Sequence, residues 1–266
     1  MSDLLLMHAL SRSFGGVKAV DRVSLNVGAK KIVGLIGPNG AGKTTLFNLV
    51  SGILAPDAGR LELEGREITG LPPHAVTAHG IARTFQNVRV FERMTVLENV
   101  MVGRHCRTRS GVISAVLKLP TERREERKIR QRGRECLDEV GLAERADELA
   151  GALPFGLMRA LEIARALATD PKLLLLDEPA AGLNRAETER LAELIQRLRG
   201  LGLAIVLVEH DMRLVMDVSD RVAVLDQGAK IAEGTPREVQ SDPKVIAAYL
   251  GAEAENDTAG AEPPHA

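Results

Sequence analysis

The chain has 266 residues, with 35 Lys and Arg against 36 Asp and Glu and a net charge of −1, which argues against a general nucleic-acid or membrane-surface binder. Its two cysteines, Cys106 and Cys136, lie far apart without a CxxC partner, so the expectation is a reduced cytosolic protein rather than a disulfide or zinc framework. Tryptophan is absent and aromatics make up 2% of the residues, too few for a base-stacking platform.

No apolar run approaches the ~20 residues that span a bilayer. The N-terminus lacks the basic region of a secretory signal. Residues 4–7 and 23–27 read as strands, the second alternating cleanly. Between them Phe14 stands beside Gly15 and Gly16, and a core-filling role is the ordinary expectation for it. The apolar run 31–36 is then followed by Gly37-Pro38-Asn39-Gly40-Ala41-Gly42-Lys43-Thr44-Thr45 and a helical stretch, 46–50. Strand, glycine-rich turn and helix are the setting that a G-x-x-x-x-G-K-[ST] phosphate loop requires. Glycines let successive N–H groups turn toward phosphate oxygens, and the helix start adds partial positive charge. Lys43 would reach the β- and γ-phosphates, and the Thr44 hydroxyl would coordinate Mg²⁺.

Residues 55–59 form a turn, 60–68 a hairpin, and Pro72-Pro73 opens a short helix to about His79. A strand over 81–85 ends at Gln86, whose amide could touch Mg²⁺ or water. From residue 88 to 152 the pattern becomes helical and more charged, with helices over 94–102 and 121–140. The run Glu122-Arg123-Arg124-Glu125-Glu126-Arg127-Lys128 mixes both signs at i,i+4 spacing, as a solvated helix face does. The α/β rhythm returns at Leu153: a helix over 159–169, a continuous apolar strand over 172–176, then helix, strand and helix over 186–198, 203–208 and 212–218. A hairpin around Gln227-Gly228 and two short helices close the domain near Leu250. Residues 251–266 lack periodicity and read as a disordered tail. The expectation is thus an α/β domain over 1–87 and 153–250, with a helical insert at 88–152.

The second half carries the acids. Asp177 and Glu178 end a buried strand, where an Asp holds Mg²⁺ in phosphate-loop NTPases. Glu178, one residue on, would orient the attacking water. His210 follows the strand 203–208 at its carboxyl end, where open α/β sheets bind ligands, and is a candidate sensor of the γ-phosphate.

Phosphate loop, Gln86, Leu153-Pro154-Phe155-Gly156-Leu157, Asp177-Glu178 and His210 occur in the order and approximate spacing of an ABC-transporter ATP-binding subunit, and the resemblance covers residues 4–250. It implies a phosphate-loop ATPase fold: a RecA-like core, an antiparallel β subdomain and an inserted helical subdomain. Phe14 then resembles the aromatic that stacks on adenine, and Gln86 resembles the link from nucleotide to the membrane subunits. Phe155, Gly156 and Leu157 resemble the family signature, which contacts the γ-phosphate held by the opposite subunit. Ala181-Gly182-Leu183-Asn184 resembles the loop that crosses that dimer interface. Thr84-Phe85-Gln86-Asn87-Val88-Arg89, Leu161-Glu162-Ile163-Ala164-Arg165, Glu209-His210-Asp211-Met212 and Ala248-Tyr249-Leu250-Gly251 look like the branched-chain amino acid uptake subfamily. The resemblance implies ATP and Mg²⁺ (Thr44, Gln86, Asp177) as cofactors and ATP hydrolysis as the activity. Its partners would be a second ATP-binding subunit, like or unlike, two permeases and, indirectly, a periplasmic or extracellular binding protein, but no nucleic acid. The place would be the cytoplasmic face of the membrane. A soluble ATPase acting on ribosomes, DNA or cluster assembly, and a transporter subunit for urea, amides or lipid, remain as alternatives.

The family signature is Leu-Ser-Gly-Gly-Gln and the subfamily resembles Leu-Pro-Tyr-Gly, so Pro154 is expected and Phe155 loses a hydroxyl. Leu157 and Met158 stand where the subfamily has two Gln, and Arg185 where a Pro is common. Each apolar replacement removes an amide near a phosphate, a hydrogen bond of about 0.5–1.5 kcal/mol. Restoring Leu157→Gln with Met158→Gln should raise the ATPase rate; an unchanged or lower rate contradicts this reading.

Overall fold

The computed structural model describes residues 3–84, 86, 89–104 and 120–250. Phe85, Asn87, Val88, Cys106 and the tail at 251–266 lie outside the described residues. The chain runs β1 (Asp3–Phe14), β2 (Val17–Gly28), β3 (Ile32–Ile36), α1 (Lys43–Val50), β4 (Ala58–Leu63), β5 (Arg66–Glu67), α2 (Pro73–His79) and β6 (Ile81–Arg83). It continues through α3 (Val96–Arg104), α4 (Pro120–Glu139), α5 (Phe155–Leu167), β7 (Leu173–Asp177), α6 (Arg185–Gly200) and β8 (Ala204–Val208). It closes with α7 (Met212–Val218), β9 (Arg221–Asp226), β10 (Ala229–Gly234), α8 (Pro236–Gln240) and α9, helical over 243–250. Two compact units result, Met1–Leu71 with Val206–Ala266, and Pro72–Ile205.

In the first unit β1 and β2 form one long antiparallel hairpin, extended by β4 and β5 in the order β2-β1-β4-β5. The alternation expected of shorter strands breaks because register shifts fall between Met7 and Leu10 and between Leu10 and Arg12. Ala9 and Arg22 take positive φ there, so the chain continues through bulges where the pattern reads as an end. A second set, β10-β9-β3-β8, places β3 parallel to β9. All five residues of β3 are buried, which matches its unbroken apolar run.

In the second unit β6 pairs parallel with β7, whose five residues are also buried. Helices α3, α4 and α5 pack on one another through Leu97, Val100, Leu137, Leu161 and Ala164. Gly103 permits the close approach of α3 to α5, since a Cβ there would meet the Arg165 carbonyl oxygen at 2.2 Å. Helix α3 starts two residues later than its apolar spacing suggests because Thr95 and Glu98 make a reciprocal cap: Glu98 N–H donates to Thr95 Oγ1 at 3.1 Å, and Thr95 N–H to Glu98 Oε2 at 2.8 Å. Helix α5 starts at Phe155, four residues earlier than expected. Pro154 precedes its first turn, where missing backbone donors and a glycine are tolerated.

Asp170, just past α5, accepts from Arg132 Nε at 2.9 Å and from Arg104 Nη1, tying α3 and α4 to this corner. Burial alone would raise its carboxyl, but the hydrogen bonds and charge of Arg104 and Arg132 outweigh it and hold the group below its usual range. A carboxyl lowered by folding stabilises above its unfolded pKa, and the contribution is lost as pH falls through the folded value. Asp170→Asn should therefore lower the urea midpoint at neutral pH, and the gap to the parent should close as pH falls from neutral to below the ordinary carboxylate range. A gap of the same size at both ends contradicts the clamp.

Candidate nucleotide-binding site

The phosphate loop of the first unit joins β3 to α1. Gly37 takes φ 149°, and a Cβ there would lie 2.0 Å from the Leu225 carbonyl oxygen. Gly42 takes φ 98° at the helix N-cap, and its Cβ would lie 2.2 Å from the Ala19 carbonyl oxygen. Both positions combine left-handed backbone with a neighbouring chain, so no other residue type fits. Around them Ala41 N–H donates to the Pro38 carbonyl and Gly228 N–H to the Ala41 carbonyl, at 3.2 and 3.1 Å.

Lys43 is buried, and its ammonium donates to the Gly37 and Pro38 carbonyls at 2.7 and 2.8 Å. The loop thus wraps its own cation. Asn39, Gly40 and Thr44 are exposed and Thr45 is half-buried, so the outer rim of the loop and the helix start face open space. Gly40 has nothing within 4 Å of its Cβ position. Backbone donors, a cation and a free rim form a donor set that fits a polyphosphate.

Three other side chains of this unit bear on the loop or on its predicted partners. Phe14 ends β1 with 44% exposure, so it is not the core filler that composition suggests; the Arg12 guanidinium carbon lies 5.1 Å from its ring centroid. His210 is exposed after β8, and its N–H donates to the buried Glu209 carboxylate at 3.0 Å. Tyr249 in α9 has its hydroxyl 4.0 Å from Met212 Sδ; burial raises its phenol, and the nearby Gly37 N–H partly offsets that. The C-terminal helix thus brings a phenol near the first residue of the phosphate loop. Sequence reasoning placed Tyr249 in a family motif without giving it a contact.

In the second unit Asp177 ends β7, buried, and pairs with Arg83 Nη2 at 2.7 Å. Arg83 closes the short strand β6, and both side chains are 7% exposed, so the pair is desolvated and each charge depends on the other. Glu178 follows with φ 47°, a left-handed backbone that L-residues rarely adopt. Strain of this kind clusters at functional sites. The Glu178 carboxylate accepts from Gln86 Nε2 at 2.6 Å, so the structure brings together two residues that the sequence separates by 92 positions.

Residues 155–157 occupy the first turn of α5 rather than a loop. A helix start presents backbone donors and partial positive charge, the electrostatics an anion needs. The Phe155 ring is exposed and covers Gly182, whose Cβ position lies 3.0 Å from it. Beside Gly156 stands Glu187, which shares a capping box with Asn184: Asn184 N–H donates to Glu187 at 2.9 Å and Glu187 N–H to Asn184 at 3.1 Å. Asn184 thus has a local task in starting α6. Leu157 lines a groove of about 370 Å³ whose wall mixes apolar residues, among them Leu183, Leu191 and Leu194, with charged ones, among them Glu187 and Arg197.

A strand, a loop closed around a buried lysine and a helix that starts at that lysine define a phosphate-loop nucleotide-binding protein. Residues 20–181 match the family model described as ABC transporter, and residues 229–255 that described as branched-chain amino acid ATP-binding cassette transporter. The chain is 47% identical to the high-affinity branched-chain amino acid transport ATP-binding protein BraF of Pseudomonas aeruginosa, over 93% of this chain and 98% of that one. It is 46% identical to the corresponding protein LivG of Escherichia coli K12, over the same shares. Among solved structures, the ADP conformation of MJ1267, an ATP-binding cassette of an ABC transporter, is similar at 33% identity and a TM-score of 0.83, covering 94% of this chain and all of that one. The chain belongs to the ABC transporter family as one of its ATP-binding subunits, and it is an ATPase. Among the described residues no helix is long and apolar enough to cross a membrane.

Proposed function

We propose that the chain hydrolyses ATP to drive import of branched-chain amino acids through permease partners that carry the membrane path. What supports this cargo is the likeness to BraF and LivG along nearly the whole of both chains. In this reading Lys43 and the loop N–H groups hold the β- and γ-phosphates, and Phe14 stacks on the adenine. Mg²⁺, when bound, would be held by the hard oxygen donors of Thr44, Gln86 and Asp177 and would neutralise charge on the phosphates. Glu178 orients a water for attack on the γ-phosphorus; the new O–P bond forms as the bond to the ADP oxygen breaks. Gln86, already bonded to Glu178, reports the state of that water, and His210 reads the γ-phosphate.

Two copies, or this chain and a close relative, pair head to tail, and each presents its Phe155–Gly156–Leu157 turn to the phosphate held by the other. The γ-phosphate joins them, so binding closes and cleavage opens the pair. Residues 88–152 form the helical subdomain that passes this motion to the permease at the inner face of the membrane, with a binding protein delivering cargo on the other side. Vesicles holding this chain with its permease partners should take up leucine, isoleucine or valine when supplied with ATP. Glu178→Gln should abolish uptake while retaining bound ATP. Uptake of urea, an amide or a lipid instead, or wild-type turnover in the variant, contradicts the proposal.

A further inference from the structure

Helix α5 carries three charged residues one turn apart, Arg159, Glu162 and Arg165, and all three point at the backbone that follows Gln86. Arg159 Nη2 donates to the Gln86 carbonyl at 2.6 Å. The Arg89 N–H donates to Glu162 Oε1 at 2.9 Å, and Arg165 Nη1 donates to the Arg89 carbonyl at 2.6 Å. Glu162 also binds its neighbours, lying 3.4 Å from Arg159 and 3.6 Å from Arg165. The Arg159 and Glu162 side chains are 6% and 3% exposed, so their charges are largely shielded from water, while Arg165 at 20% sits at the edge. Their acceptors and donors are backbone groups, so the contacts hold the path of the chain rather than any one side chain. From the other side Asn99, fully buried in α3, grips Phe91: its Oδ1 accepts from the Phe91 N–H at 2.8 Å and its Nδ2 donates to the Phe91 carbonyl at 3.0 Å.

We propose that Arg159, Glu162 and Arg165 form a latch that fixes the Gln86 backbone to the signature helix, so that Gly156 and Gln86 move as one body. The proposal rests on the function above, because it needs Gly156 to meet a phosphate across the dimer. Arg159 lies three residues beyond Gly156 on the same helix, and its guanidinium ends on the carbonyl of the residue whose amide holds Glu178. A displacement of the first turn of α5, driven by phosphate on the opposing copy, is thereby transmitted to Gln86 through about one helical turn and one charge-assisted hydrogen bond. Closure would reach Gln86, and through it the Glu178 carboxylate. The three latch residues are positioning residues, since they act on Glu178 through the Gln86 backbone. Desolvated pairs of this kind seldom stabilise more than apolar packing would, which makes a transmitting role the better account of them.

The test compares hydrogen exchange of backbone amides 86–92 with and without ATP, in chains that carry Glu178→Gln so that the closed pair persists. Dimer formation is followed in parallel by light scattering. With the latch intact, ATP should slow exchange at the Arg89 amide at least fivefold. In Glu162→Ala the pair should still form, with an ATP affinity within twofold of the parent, but the ATP response at Arg89 should fall below twofold. Arg165→Lys keeps the charge and loses only the planar fork, so it covers the case in which Glu162→Ala fails to fold; its ATP response should be reduced at least twofold. A full response in a folded variant that dimerises overturns the latch and leaves the proposed function standing. Absence of an ATP-driven pair in the latch-intact chain overturns both.

Discussion

A phosphate chain can be held only where several N–H groups converge on it, and in this protein that demand shapes the first unit. Convergence requires left-handed backbone at Gly37 and Gly42, and both glycines are wedged against carbonyl oxygens of neighbouring strands, Leu225 in β9 and Ala19 in β2. The loop therefore depends on those strands being where they are, and they in turn are held to it by the Gly228 to Ala41 hydrogen bond. Lys43 is steered by the carbonyls of the loop it serves, which keeps its ammonium under the rim instead of in solvent. Remove the left-handed turns and the converging donors are lost together.

The second unit solves a different problem, the placement of carboxylates. Asp177 is locked by Arg83 in a desolvated pair, and Glu178 is turned by a strained φ toward Gln86. The Gln86 backbone is itself gripped by α5, whose first turn carries the signature residues. Buried charge recurs along this line, at Asp177, Arg83, Arg159 and Glu162. Such charges are expensive to desolvate and are held by mutual pairing, so a single truncation anywhere along it leaves an uncompensated partner. That interdependence suits a device in which distant groups must respond together.

The parts of this arrangement that are local in sequence were legible. The phosphate loop, the buried strand ending in Asp177 and Glu178, and the bounds of α7 follow from runs and spacings that physics ties to single elements. The long hairpin of β1 and β2 was not, because bulges at Ala9 and Arg22 interrupt the alternation on which strand reading relies. The start of α5 was missed for a related reason: Pro154 and Gly156 read as loop residues, yet a first turn tolerates both. Arg83 and Arg159 carry no local signature of their contacts, since their partners lie 94 and 73 positions away. Leu157 looked like a lost amide beside a phosphate. Its place in the groove with Leu183, Leu191 and Leu194 is visible only once α6 is folded against α5.

If the backbone geometry of the phosphate loop holds the nucleotide, equilibrium ATP binding to Gly42→Ala will show it, because the change adds one methyl group and alters no charge. A Cβ at that position would stand 2.2 Å from the Ala19 carbonyl oxygen, so the loop must open. Affinity should fall more than tenfold, a loss above about 1.4 kcal/mol, while the variant remains folded. A folded Gly42→Ala chain that binds ATP as tightly as the parent would contradict it.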